Sequence, residues 1–79
     1  MRLDKYLKVS RIIKRRTVAN EACDDGRVEL NGKVARASAE VKVGDIICIH
    51  MGDSDVKAEV LAVMDTTKKE FASEMYRYL

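Results

Sequence analysis

Hydrophobic periodicity changes at Gly26, and that change constrains the fold of this chain more than any other feature. Before Gly26 apolar residues recur at helical spacing; after it they alternate. The run RVELNGKVAR (27–36) is two short alternating segments around Asn31-Gly32. Asn-Gly between such segments is the strongest short signal for a β-hairpin, because both residues of a tight I′ turn need positive φ. Val28 and Leu30 then face one side, and Arg27 and Glu29 the other. A chain of 79 residues has room for one core. Helices followed by an antiparallel sheet make it a single α+β domain over 1–79.

Residues 2–9 are predicted to be a helix. Leu3, Tyr6 and Leu7 share a face, and Arg2, Lys5 and Lys8 step around another. Asp4 suits the first turn and stands four residues before Lys8, the favourable order for an ion pair. Residues 10–16 link to a second helix, with Ile12 and Ile13 as anchors to the core. Thr17 is the expected N-cap, Glu21 follows in the first turn, and Val18, Ala19, Ala22 and Cys23 form the apolar face. Gly26 is the expected residue just past the helix end. Beyond the hairpin, 42–45 reads as a turn, 46–51 as a strand, 52–55 as a turn and 56–64 as a final strand. Thr67 and Glu70 have capping-box spacing, and Phe71, Met75 and Tyr78 or Leu79 repeat helically. Residues 65–79 are therefore a short helix folding back on the sheet, or else a mobile tail. The predicted core is Leu3, Leu7, Val28, Leu30, Ile47 and Ile49.

Several function classes find no support. No apolar run approaches the ~20 residues of a membrane span. Charges interleave from residue 2, which excludes a secretory h-region and points to the cytoplasm. Cys23 and Cys48 read as reduced, partly buried thiols, with a disulfide or redox pair as the alternative. Two distant cysteines and the single His50 do not supply zinc-site spacing, and no metal or cofactor is expected. Asp24 and Asp25 raise rather than lower the thiol pKa of Cys23. There is no phosphate-cradling glycine loop, and no nucleophile–base constellation, so the chain does not read as an enzyme.

Charge is what remains. The net charge is only +2, but residues 1–16 hold Arg2, Lys5, Lys8, Arg11, Lys14, Arg15 and Arg16 against Asp4 alone, a local +6. The rest of the chain has eight basic and twelve acidic residues, a net −4. Lys14-Arg15-Arg16 repel one another just before a helix start, where positive charge is unfavourable. An external anion offsets that cost, and arginines beside free helix N–H groups suit phosphate. A nucleic-acid partner follows. RNA is favoured over DNA, because no long recognition helix is present and RNA duplexes are read by shape and backbone.

The residues RLDKYL (2–7), SR (10–11), RRT with Ala19 (15–17, 19), GRVELNGK (26–33), and Ser38, Val41, Gly44, Asp45 and Ile47 resemble the S4-type RNA-binding domain, the αL motif. The core motif covers 2–51, with a C-terminal strand and helix in 56–79. The resemblance implies two antiparallel helices packed on a small bent antiparallel sheet, with the RNA surface on the helix pair and its adjoining turn. Carried over, it assigns RNA contacts to Arg2, Lys5, Lys8, Arg11, Lys14, Arg15 and Arg16, and more weakly to Asn31 and Lys33 at the hairpin. Residues 65–79 balance three basic against three acidic groups. That is similar to the short stand-alone branch of the heat-shock-protein-15-like family, not to the branch with a basic C-terminal extension. The short branch implies a role in ribosome-associated quality control. Its implied partners are the rRNA of the large ribosomal subunit, peptidyl-tRNA and RqcH, the factor that adds C-terminal alanine tails to stalled chains. No membrane is implied, and off the ribosome a monomer is expected. Three other readings stay open: a general ribosome- or tRNA-binding S4 protein, an accessory module of an RNA-modifying enzyme, which Met1 at the usual start disfavours, and a module that binds an acidic protein. Many members of the short branch run a few residues beyond Leu79.

Overall fold

A computed structural model describes residues 1–65 and 68–79. The elements are α1 (Leu3–Val9), α2 (Arg16–Asp24), β1 (Val28–Leu30), β2 (Lys33–Val34), β3 (Ile46–Met51), β4 (Ser54–Val60), α3 (Lys69–Ala72) and β5 (Tyr76–Tyr78). The five strands form one antiparallel sheet in the order β2-β1-β3-β4-β5. The architecture is α+β, as expected.

The switch at Gly26 is visible atom by atom. Helix α2 ends at Asp24, Asp25 is its C-cap, and Gly26 takes φ +75°. The Gly26 N–H donates to the Cys23 carbonyl and the Arg27 N–H to the Ala22 carbonyl, both at 3.0 Å. This pair of bonds is a Schellman motif, and it turns the chain directly into β1. Asn31 (φ 54°) and Gly32 (φ 84°) form the predicted I′ turn, with Leu30 opposite Lys33.

Helix α1 buries Leu3, Tyr6 and Leu7, and α2 buries Ala19, Ala22 and Cys23. With Val28, Val41, Ile47, Ile49, Val60 and Met75 these residues form one core, against which Ile12 and Ile13 pack. Of the six predicted core residues only Leu30 is half-buried, since it borders the hairpin turn. Val18, expected on the apolar face, is 45% exposed. The buried stripe of α2 is narrow and built from small residues, and Val18 lies at its margin.

Three boundaries differ from expectation. Helix α2 begins at Arg16 with Arg15 as its N-cap, so Thr17 lies inside the helix. Arg16 in the first turn shares a face with Asn20, four residues on, and both side chains reach Asp4 of α1. Strand β4 covers 54–60, not 56–64. The β3–β4 turn needs only Gly52 and Asp53, with Met51 opposite Ser54. After Val60 the chain leaves the strand, and the N–H groups of Leu61 and Ala62 both donate to the Met75 carbonyl.

The C-terminal segment holds a single helical turn, α3, and then a strand. Tyr76, Arg77 and Tyr78 pair with Val60, Glu59 and Ala58. An unpaired β4 edge and an alternating Tyr-Arg-Tyr run favour strand over helix. Met75 and Ala72 are buried, whereas Phe71 is 46% exposed. The Thr67 half of the expected capping box lies outside the described residues.

Candidate RNA-binding surface

The N-terminal helix pair is organised around a buried carboxylate. Asp4 is 2% exposed. Its Oδ1 accepts hydrogen bonds from Arg2 Nε (3.2 Å), Arg16 Nη2 (3.4 Å) and the Lys5 backbone N–H (2.8 Å). Its Oδ2 accepts from Asn20 Nδ2 (3.2 Å), Arg16 Nε (3.3 Å) and Arg2 Nη2 (3.4 Å). Burial alone would raise this pKa. The bonds from Asn20, Arg16, Arg2 and the Lys5 N–H outweigh it and hold the carboxyl below its usual range. The expected Asp4–Lys8 pair is not made, because the carboxylate turns inward to α2 and leaves Lys8 exposed.

Each guanidinium has five N–H donors and gives two to Asp4. About half of each side chain, 51% for Arg2 and 47% for Arg16, remains open to solvent. Asp4 therefore fixes two arginines side by side with donors still facing outward. The first turn of α1 is closed to anions. The Leu3 and Asp4 N–H groups donate to the Ala39 (2.8 Å) and Ala37 (3.1 Å) carbonyls, and the Lys5 N–H to Asp4 itself. The start of α2 differs: it has no capping side chain, and Arg15 and Thr17 are exposed there.

The other candidates fall into separate groups. Lys8, Arg11 and Lys14 line one recess, joined by Lys69 of α3. Lys5 faces Asp65 at 3.5 Å. Asn31 is engaged in holding the sheet together. Its Nδ2 donates to Asp45 Oδ1 (3.0 Å) and its Oδ1 accepts from the Ile46 N–H (2.9 Å). Lys33 is exposed on β2 and is not among the residues that line the recess. Sequence reasoning did not single out Asn20 or Lys69. Asn20 carries no local signal, and Lys69 joins the others only through the fold-back of the C-terminal segment.

The outer face of the sheet carries a different cluster. His50 lies between Glu29, on Nε2, and Asp55, 2.7 Å from Nδ1, and both carboxylates raise its pKa above the usual 6.5. Ligand atoms of Cys48, His50 and Asp55 come within 4.8 Å of one another, a proximity that sequence spacing did not suggest. They offer three donors where structural zinc takes four, and both imidazole nitrogens already face carboxylates. Cys23 and Cys48 are buried free thiols; burial, with Asp4 and Asp24 nearby, pushes Cys23 up to about 11. Among the described residues no helix is long and apolar enough to cross a membrane.

A small α+β domain with a basic helix pair beside a five-stranded sheet is the form of an RNA-binding module, and the S4 domain family model matches residues 1–47. The chain belongs to the S4-domain family and, within it, to the group formed by the full-length relatives that follow. A Bacillus subtilis protein named RQC P-site tRNA stabilizing factor is 53% identical over all 79 residues, which cover 92% of that protein. A Streptococcus pneumoniae protein of the same name is also 53% identical, with 90% covered. Among solved structures, Vibrio cholerae Heat Shock Protein 15, described as trimeric, superposes with a TM-score of 0.91 at 29% identity. It covers the whole of this chain and 81% of its own.

Proposed function

We propose that this chain is a non-catalytic RNA-binding factor of ribosome-associated quality control. It binds large ribosomal subunits obstructed by peptidyl-tRNA, touches both rRNA and the P-site tRNA, and thereby supports alanine tailing of the stalled chain by RqcH. The observation that carries this reading is full-length similarity to proteins named RQC P-site tRNA stabilizing factor. The geometry of the helix pair supports it. Arg2 and Arg16, held by Asp4, present a paired fork suited to backbone phosphates. Arg15 is the N-cap of α2, whose first N–H groups have no side-chain cap and are suited to a further phosphate. Residues 1–79 act as one module in which the sheet braces the helices. The contribution to tailing is positional: holding the tRNA orients its reacting end without adding a chemical group.

The test compares Arg15→Ala with Lys57→Ala, a charge on β4. Both are exposed. Co-sedimentation with large subunits in sucrose gradients and alanine tailing in cells are measured for each. Arg15→Ala is expected to lose both while melting like the parent, and Lys57→Ala to retain both. Equal binding and tailing by the two variants would reject the assigned face.

A further inference from the structure

Apart from Arg15, the basic residues of the first sixteen separate into two sets, the second joined by Lys69. Arg2, Arg16 and Lys5 each face a carboxylate. Lys8, Arg11, Lys14 and Lys69 line a common recess, and among the described residues none of these four has an ion-pair or hydrogen-bond partner for its side chain. Four cations around one depression repel each other, and among the described residues no carboxylate pairs with any of them. Arg11 adds a second, independent feature. It follows the C-cap Ser10 of α1 in the left-handed region, φ 65°, where its N–H donates to the Lys8 carbonyl. Glycine fits that position without cost, whereas an arginine there is strained. The chain thus carries an arginine where the backbone favours glycine, and strained positions of this kind cluster at functional sites.

The fourth cation comes from far along the chain. Lys69 opens α3, and the segment behind it is pinned to α1. The Tyr6 hydroxyl donates to the Met75 carbonyl at 2.7 Å in the core, and Ala72 is buried. The end of α1 and the α1–α2 linker therefore supply three of the four cations, and the C-terminal segment supplies the fourth.

We infer that Lys8, Arg11, Lys14 and Lys69 form a second phosphate-binding subsite that takes the backbone of a structured RNA, with the C-terminal segment as a direct RNA contact. This rests on the RNA-binding reading above and extends it to a part of the chain outside the residues matched by the S4 family model. The four charges match a phosphate-rich backbone, where each contact releases a counterion.

The test uses the full chain and purified large ribosomal subunits carrying a P-site tRNA. Affinity is titrated at several salt concentrations for the parent, Arg11→Gly, Lys69→Ala, Arg15→Ala and Lys57→Ala. Arg11→Gly and Lys69→Ala are each expected to weaken binding by roughly tenfold or more. Each should also reduce the log–log salt slope by about 0.7–0.9. Arg11→Gly should melt at or above the parent temperature, because glycine relieves the left-handed strain; weaker binding by a more stable variant cannot come from misfolding. Lys57→Ala should match the parent. If Arg15→Ala loses binding while Arg11→Gly and Lys69→Ala keep it, the subsite is wrong and the RNA reading stands. If the parent itself does not bind, the RNA reading fails. Loss in Arg11→Gly with parental binding by Lys69→Ala overturns the role of the C-terminal segment, and with it the proposal. Phosphatidylglycerol vesicles serve as the second phosphate source. Binding to them that depends on Arg11 and Lys69, with unchanged RNA affinity, would assign the recess to lipid and overturn the proposal.

Discussion

Asp4 shows how one residue can set the geometry of a surface. In sequence it is an ordinary first-turn acid among many cations, and its pairing with Lys8 is the natural expectation. In the fold it is buried, with Arg2, Arg16 and Asn20 gathered on it. Local spacing could not reveal this, because Arg16 and Asn20 meet Asp4 only when α2 packs on α1. Asp4→Asn is expected to lower stability by about 1–3 kcal/mol, since charge-assisted bonds to a buried acceptor are lost. The difference should depend on pH. The folded pKa lies below the usual 3.8, so the stabilisation is complete above that value. It disappears as pH falls through the folded pKa. Thermal melts of both proteins between neutral pH and pH ~3 check this; a gap that widens on acidification would contradict it. The same geometry revises what Arg16 does. A fully exposed arginine would be free to lose; one held on a buried carboxylate is not. Arg16→Ala is expected to melt earlier than Arg15→Ala, so the second is the cleaner probe of RNA contact.

At the scale of elements, the signals that fixed local backbone conformation were legible. Gly26 ends α2 and Asn31-Gly32 turns the hairpin because positive φ leaves few residue choices. Gly26→Ala should cost about 1–2 kcal/mol from conformation alone. A new Cβ there meets nothing closer than Val34 Cγ1 at 3.9 Å. Guanidinium-chloride unfolding measures the cost, and an unchanged midpoint would contradict the account. What local signals did not reveal was β5. Residues 76–78 become a strand because the edge of β4 offers unpaired groups, a fact about the sheet and not about the segment. The cross-strand cluster on the outer face is likewise a product of register, which places His50 opposite Asp55. His50 has a raised folded pKa, so its contribution is fully present below the usual 6.5 and is lost as pH rises through the raised value. His50→Gln should therefore differ most from the parent in mildly acidic buffer, and the two melting temperatures should converge as the pH rises. Constant separation across that range would show that the imidazolium does not tie the strands.

For the whole molecule, the informative quantity is the distribution of charge. A net +2 conceals +6 in the first sixteen residues, and this asymmetry was readable directly from the sequence. The fold then sorts these cations in a way the sequence did not disclose. Some are fixed on carboxylates, and others, with Lys69 from far along the chain, line a recess with no ion-pair partner among the described residues. Asn31, a candidate by position, is engaged within the sheet. The central claim is that this surface binds RNA through its phosphates. The most direct measurement is the affinity of the parent protein for large ribosomal subunits carrying a P-site tRNA, followed as salt is raised. Four to six phosphate contacts predict a slope of log affinity against log salt of roughly −3 to −5. A slope near zero would contradict the claim.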